Sequence, residues 1–305
     1  MVTALRRAGY RLFGRGFDYL LHTRPAEWPI MVAHTLVGYV LAVGLQGALR
    51  GENAGRVTLG LVLWVVCLNG GTLALNSAYD KDEGDIAYLR QPPPPPRRLA
   101  QFSLGLMFLG LLVASLLPGE FQAVYAICLV LSVLYSVPPV RLKAVPGADW
   151  LINMLGFGTL TPYAGWAATG LPLQAAPGVV LLGFCPLFAA LYPLTQIYQF
   201  EEDTLRGDRT LALTLGVKRS LLVSLGAATA GYWLFILAGW LAGWGASDAW
   251  RWILLALSAA AWGVVLLNWV RRHRSMGMRE HQRGMYQALA AWALTDLVLV
   301  LTWST

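Results

Sequence analysis

Nine apolar runs, each close to the ~20 residues a helix needs to cross a bilayer, occupy almost all of this chain beyond residue 27. They cover residues 28–49, 57–79, 99–117, 120–138, 149–169, 176–198, 220–243, 249–270 and 284–303, with short connections that leave no room for a separate soluble domain. A chain that is 57% apolar and only 13% charged does not build a water-soluble core. The expected fold is therefore all-α: a polytopic membrane protein, a single domain over residues 1–305, with nine transmembrane helices. Residues 1–27 are basic and amphipathic, with Leu5, Tyr10, Leu12, Phe13, Phe17, Leu20 and Leu21 among arginines. They lack the apolar run of a signal peptide and read as a helix lying on the membrane surface.

Basic residues orient the bundle. With the N-terminus in the cytoplasm, of 23 Lys and Arg only Arg50, Arg56 and Arg251 fall on the far side, as the positive-inside rule requires. The net charge of +7 is thereby a consequence of topology and not a sign of nucleic-acid binding. Cys67, Cys128 and Cys185 all lie within apolar runs, as packing residues and not a disulfide framework.

Two acidic stretches end apolar runs on that same cytoplasmic side. Asn76-x3-Asp80-x3-Gly84-Asp85 follows the second run and Gln199-x3-Asp203-x3-Gly207-Asp208 follows the sixth. Asn76 and Asp80 are four apart and share a helix face; the glycine stops the helix and turns the next aspartate back. A helix C-terminus already carries about half a negative charge, so carboxylates gathered there need cations between them. Mg²⁺ fits, because it takes oxygen ligands and is held by one or two carboxylates together with substrate phosphates. A solvated acidic loop is the plain alternative for one copy, and its recurrence at matching depth counts against it. Glu202 and Glu201 are extra oxygen ligands in the second copy, and Arg206 and Arg209 add positive charge for phosphate oxygens.

Two further segments face the same side. Pro92–Pro96 form an extended polyproline strut about 15 Å long, either a stiff spacer or a lid carrying Arg90, Arg97 and Arg98 over an anion. Tyr135-Ser-Val-Pro-Pro-Val-Arg141-Leu-Lys143 ends the fourth run at its double proline and puts Arg141 and Lys143 on one side of an extended segment. Within the membrane, Gly156, Gly158 and Gly165 are expected to let helices approach closely, and Asn153 to serve as packing glue or to line a cavity. Asp296, nearer the far face, is expected to be a buried hydrogen-bonding group, with His34 a further intramembrane polar residue.

The order of these elements resembles the UbiA superfamily of intramembrane prenyltransferases. The resemblance rests on Asn-x3-Asp after the second span, the second acidic motif after the sixth, the YSVPPVRLK segment between them, and Gly207-Asp208-Arg209-Thr210-Leu211 running on to Leu215-Gly216. It implies helices around a central cavity open to the cytoplasmic face, in the cell (inner) membrane. It further implies two Mg²⁺ ions holding the diphosphate of a polyprenyl donor, and transfer of the prenyl group to a lipophilic acceptor. Carried onto this chain, the metal ligands are Asn76, Asp80, Asp85 and Asp203, with Gln199, Glu202 and Asp208 as substitutes in the second motif. Gly84 stands where the first motif normally closes with Asp, and Gln199 where the second normally opens with one. Arg24, Arg141 and Lys143, with Arg97, Arg98 and Arg209 from the loops, are the expected diphosphate-binding residues. Asp80, Asp203 and Tyr135 are the expected catalytic residues, and Tyr79, Tyr163, Tyr192 and Tyr198 are further candidates to shield and stabilise a carbocation. A cyclase acting on the donor alone, and a cation transporter with an inverted repeat, are the competing readings. The acceptor, the donor length and the oligomeric state are not readable from the chain.

Overall fold

In a bilayer no water is present to satisfy exposed backbone N–H and C=O groups, so apolar runs of this length must close their hydrogen bonds within themselves as helices. The computed structural model describes residues 4–80, 89 and 91–303. Among these residues it contains helices and no β-strand. In chain order the α-helices are α1 Ala4–Phe13, α2 Phe17–His22, α3 Trp28–Leu49, α4 Ala54–Leu61, α5 Gly70–Asp80, α6 Leu99–Ala114 and α7 Gly119–Ser136. They continue with α8 Ala148–Asn153, α9 Thr161–Ala167, α10 Ala175–Gln196, α11 Phe200–Arg206, α12 Leu211–Leu241, α13 Ala249–Arg272 and α14 Met278–Thr302.

Seven helical segments are long and apolar enough to cross a membrane. The other two expected spans differ in kind. α6 is apolar but only 16 residues long. The fifth run is broken into α8, a π-helical stretch Met154–Leu160 and α9. Length and apolarity alone thus carry seven of the nine spans. A second π-helical stretch, Val62–Asn69, joins α4 to α5. Such wide turns displace side chains from the ordinary helical register, and they recur at functional sites.

Two apolar cores lie side by side. One joins α10, α12, α13 and α14 around Phe184, Leu187, Phe235, Trp262 and Trp292. The other joins α4 to α7 around Trp64, Met107, Phe121 and Tyr125. α3 and α9 supply residues to both cores: Val37 and Trp166 to the first, Tyr39 and Ala164 to the second. They can do so because small residues let their backbones touch. A Cβ on Gly38 would lie 1.6 Å from the Pro162 carbonyl oxygen, and one on Gly165 1.9 Å from that of Thr35. Gly158 has the same role against Phe184, as expected, but Gly156 has open space around it and borders a cavity instead.

His34 and Asp296 behave as buried hydrogen-bonding groups. His34 Nδ1 lies 3.1 Å from Asp296 Oδ1, and its Nε2 lies 3.1 Å from the Phe157 carbonyl oxygen. This strut ties α3 and α14 to the π-helical stretch of the fifth run. On the outer surface, Leu112, Leu116, Trp233, Trp240 and Val264 are exposed, as lipid-facing side chains should be.

The N-terminal helices pin the proline segment. Arg6 Nη1 donates to the Gln91 carbonyl at 2.9 Å, and His22 Nε2 is 3.1 Å from the Pro93 carbonyl. Leu12 and Phe13 of α1 stay exposed, consistent with a surface-lying helix.

Candidate active site

The second acidic motif shows how local sequence builds the site. Gly207 adopts φ +73°, a left-handed conformation that costs glycine nothing. It ends α11 and lets the Asp208 N–H bond back to the Asp203 carbonyl at 3.0 Å. The reversal aims the Asp208 carboxylate at the loop after α7, where Arg141 waits. Arg141 Nη1 donates to Asp208 Oδ1 at 2.5 Å, and Nη2 donates to Asp208 Oδ2 and to Asp80 Oδ1 at 3.3 Å each. One guanidinium thus joins the two motifs. Lys143 Nζ is paired with Asp80 Oδ2 and donates to Asn76 Oδ1 at 3.2 Å.

Both carboxylates are buried: the Asp80 side chain is 3% exposed and that of Asp208 5%. Burial disfavours the Arg141 charge, and the hydrogen bonds and charges of Asp208 and Asp80 more than reverse this, so its pKa is raised. Arg141 has φ +35°. A left-handed residue with a side chain stores about 1–2 kcal/mol of strain, and such strain gathers where position matters more than stability.

Asp203 is also buried, and its Oδ2 accepts a hydrogen bond from Thr210 Oγ1 at 3.2 Å. Gln199 departs from expectation. α10 ends at Gln196 and a single 3-10 turn, Ile197–Gln199, intervenes before α11. The Gln199 side chain consequently turns to the Tyr198 hydroxyl, 3.3 Å away, and not toward Asp203. Asp85 lies outside the described residues, as does the side chain of Glu202.

Two residues that sequence reasoning left without a role lock the arrangement. Asp149, fully buried, accepts hydrogen bonds from Gly147 N–H at 2.9 Å, Gln196 Nε2 at 2.7 Å and Leu211 N–H at 3.1 Å. Gln196 Oε1 accepts from Ala212 N–H at 3.1 Å. The first N–H groups of a helix have no partner within it. Those of α12 are therefore capped from α8 and α10, which fixes the second motif against the basic loop. The signal was present as an ionisable residue inside an apolar run.

Below the ion cluster lies a cavity of about 190 Å³, with Arg24, Asn76, Tyr135 and Asn153 among its lining and Trp64 and Phe157 on its apolar walls. Both π-helical stretches border it. Arg24 is 8% exposed, has φ +52°, and its Nε is buried without a hydrogen-bond partner. Tyr135 and Tyr192 hydroxyls are 2.8 Å apart, and Asn153 both donates to the Asp149 carbonyl and lines the cavity.

Other expected residues are elsewhere. Arg97, Arg98 and Arg209 are exposed, and among the described residues none of them contacts these carboxylates. Tyr163 bonds Glu120, at the opposite end of α7 from Tyr135, which removes it from the site. Tyr79 packs in the second core, and Tyr198 is half-buried beside Gln199.

Among the described residues no three His, Cys, Asp or Glu side chains converge to hold a metal unaided. That donor set still suits Mg²⁺, which needs only one or two carboxylates when diphosphate oxygens complete its shell. The oxygens of Asn76, Asp80, Asp203 and Asp208 are all of the hard type it prefers.

Known proteins share this layout. The chain is 29% identical over 236 residues to the probable homogentisate phytyltransferase 2, chloroplastic, of Oryza sativa subsp. japonica, a match covering 67% of this chain and 59% of that one. It is 35% identical over 230 residues to the lycopene elongase/hydratase of Halobacterium salinarum, covering 72% and 77% respectively. The chain thus spans about three fifths of the rice protein's length. In fold it superposes on a UbiA homologue from Archaeoglobus fulgidus bound to GPP and Mg²⁺ with a TM-score of 0.63 at 18% identity, over 93% of this chain and 99% of that one. The UbiA prenyltransferase family model matches residues 31–289. That stretch contains the buried carboxylates of both motifs and the Arg141–Lys143 segment that joins them, and the chain belongs to the UbiA prenyltransferase family.

Proposed function

We propose that this chain is a Mg²⁺-dependent intramembrane prenyltransferase, moving an isoprenyl group from a polyprenyl diphosphate to a lipophilic acceptor with loss of diphosphate. The observation that carries the reading is Arg141 held between Asp80 and Asp208, with Lys143 linking Asp80 to Asn76 on the cavity wall. A salt bridge made only for stability has little reason to sit on strained backbone. The names of the relatives, a probable homogentisate phytyltransferase and a lycopene elongase/hydratase, support the same reaction class.

The residues divide the work. Asn76, Asp80, Asp203 and Asp208 would hold the metal, with Asp85 and Glu202 as further ligands. Bound Mg²⁺ supplies Lewis-acid neutralisation of the leaving diphosphate. Arg141 and Lys143 exchange their carboxylate partners for phosphate oxygens, which a planar guanidinium matches two at a time. Arg24 enters from the α2–α3 connection, while Arg97, Arg98 and Arg209, exposed and away from these carboxylates, would bind diphosphate only secondarily. Tyr135, on the cavity wall and hydrogen-bonded to Tyr192, would face the allylic carbon, where a ring face stabilises a cation and apolar walls exclude water. The acceptor then attacks that carbon, and the prenyl tail lies along Trp64 and Phe157 toward lipid.

In this reading the chain forms one domain, all nine helical segments cross the bilayer, and the acidic motifs face the cytoplasm. The basic residues around α1, the Arg141 loop and the α13–α14 turn support that orientation. Incubating purified protein with geranylgeranyl diphosphate and Mg²⁺ tests the reaction class. Transfer requires an added acceptor, whereas a cyclic hydrocarbon or alcohol from donor alone assigns a cyclase. Metal flux across vesicles without any prenyl product refutes both.

A further inference from the structure

A groove of about 220 Å³ runs down the outside of the bundle where α12 and α13 pack together, between Leu225, Tyr232 and Ile236 of the first and Ala259, Trp262 and Leu266 of the second. Its polar side chains are engaged within the protein. The Tyr232 hydroxyl lies 2.9 Å from Thr295 Oγ1, Trp262 Nε1 donates to the same oxygen at 3.1 Å, and Thr229 donates to the Leu225 carbonyl at 2.9 Å. The groove therefore offers methyl groups and ring faces, a surface for hydrocarbon. From Leu225 to Ile236 it follows eleven residues of helix, about 16 Å. That is about half of the ~30 Å hydrocarbon core, the depth of the chains in one leaflet.

The charges say where a head group would sit. The short connection 242–248 makes α12 and α13 antiparallel, so the start of α12 and the end of α13 share one end of the groove. Lys218 stands seven residues before Leu225, two turns along the same stripe, with Arg219 beside it. Arg271 and Arg274 follow Leu266 at the end of α13. All four are exposed, and among the described residues none is paired with a carboxylate. At the opposite end Arg251 is held by Asp248 at 3.3 Å and lies over the Trp244 ring. A neutral lipid would make no use of this asymmetry. A second copy, related by an axis normal to the membrane, would set the same cations against each other.

We infer that the α12–α13 groove binds an anionic glycerophospholipid, with one acyl chain in the groove and its phosphate against Lys218, Arg219 and the basic end of α13. An apolar slot with a basic rim at its water end recognises both halves of such a lipid, and long cationic side chains reach the boundary while their stems lie on apolar surface. The groove shares no lining residue with the cavity at the acidic motifs, so the inference stands whether or not the chain transfers prenyl groups.

Gly263 makes it testable. It lines the groove, and a Cβ there would meet nothing within 4 Å, so a larger side chain enters the groove and leaves the helix packing alone. Native mass spectrometry of the full chain in detergent, given equimolar phosphatidylglycerol and phosphatidylcholine of matched chains, reads the retained lipid. The wild type should keep phosphatidylglycerol at least fivefold over phosphatidylcholine. Gly263→Phe should lower retained phosphatidylglycerol at least fivefold with its unfolding midpoint kept, whereas Gly105→Phe, equally open but on α6, should not. Lys218→Gln combined with Arg271→Gln should bring the ratio of the two lipids toward one. Equal retention of both lipids by the wild type, or of neither, overturns the inference without any variant. So does a Gly263→Phe protein that retains as much as the wild type, since the lipid then only coats the basic face. A dimer that disappears in Gly263→Phe, or displacement of the lipid by geranylgeranyl diphosphate, gives the groove to another occupant and equally overturns it.

Discussion

Asp80 holds two cations at once, Lys143 on one oxygen and Arg141 on the other, and Arg141 also grips Asp208. The pairing answers the electrostatic problem posed by carboxylates at helix C-termini: the loop after α7 supplies the counter-charges until substrate does. Arg141→Lys keeps the charge and loses the fork. Turnover should fall about tenfold or more, read as kcat/KM for the donor, with the acceptor KM unchanged. Gln199→Ala should change that ratio by less than about threefold, because its side chain is directed at Tyr198. Asp149→Ala leaves buried N–H donors of Gln196 and Leu211 without acceptors, and at about 1–3 kcal/mol for each unsatisfied group should lower stability by about 3 kcal/mol in denaturation. Asp80, Arg141 and Lys143 were legible as charges at the ends of apolar runs. Asp149 stood out only as an ionisable residue opening an apolar run, and its capping of α12 was not assigned because its partners Gln196 and Leu211 are distant in sequence.

At the scale of elements, the apolar runs located the helices, since ~20 residues is a length that the bilayer itself imposes. α12 and α14, however, begin at Leu211 and Met278, ahead of the runs from 220 and 284, because their first turns are not apolar enough to count as membrane. The breaks were hidden. A π-helical stretch such as Met154–Leu160 depends on what packs against it, here His34 reaching the Phe157 carbonyl, and no local composition announces that. The 3-10 turn at Ile197–Gln199 likewise interrupts the end of the run expected to reach residue 198, between α10 and α11. The proline strap was read equally as spacer or lid; its carbonyls at Gln91 and Pro93 are held by Arg6 and His22, which makes its anchorage titratable. Burial lowers the His22 pKa more than the Pro93 carbonyl raises it, with Arg24 lowering and Asp18 raising it further. A base depressed in the folded state gives up stability when it must be protonated. The contribution is full above the unfolded value near 6.5 and declines as pH falls below it. The protection factor of the Leu99 amide, which donates to the Pro96 carbonyl, should fall between about pH 6.5 and 5, and that fall should vanish in His22→Gln.

The whole molecule is two packed halves sharing α3 and α9, with one acidic motif on each half and a single basic loop between them. Among the described residues neither motif gathers three metal-ligating side chains, and in the proposed reading a diphosphate spanning both would complete the metal shells. The cavity is lined by the α4–α7 half, by α3 and by the broken fifth run, and in the proposed reading the prenyl chain lies against its apolar walls. The measurement that tests this most directly is binding of a non-hydrolysable thio analogue of geranylgeranyl diphosphate to the full chain, with Mg²⁺ and with EDTA. Binding should weaken at least tenfold on chelation, and should be lost alike in Asp80→Ala from one half and Asp208→Ala from the other. Binding that is indifferent to Mg²⁺, or that survives both substitutions, would contradict the account.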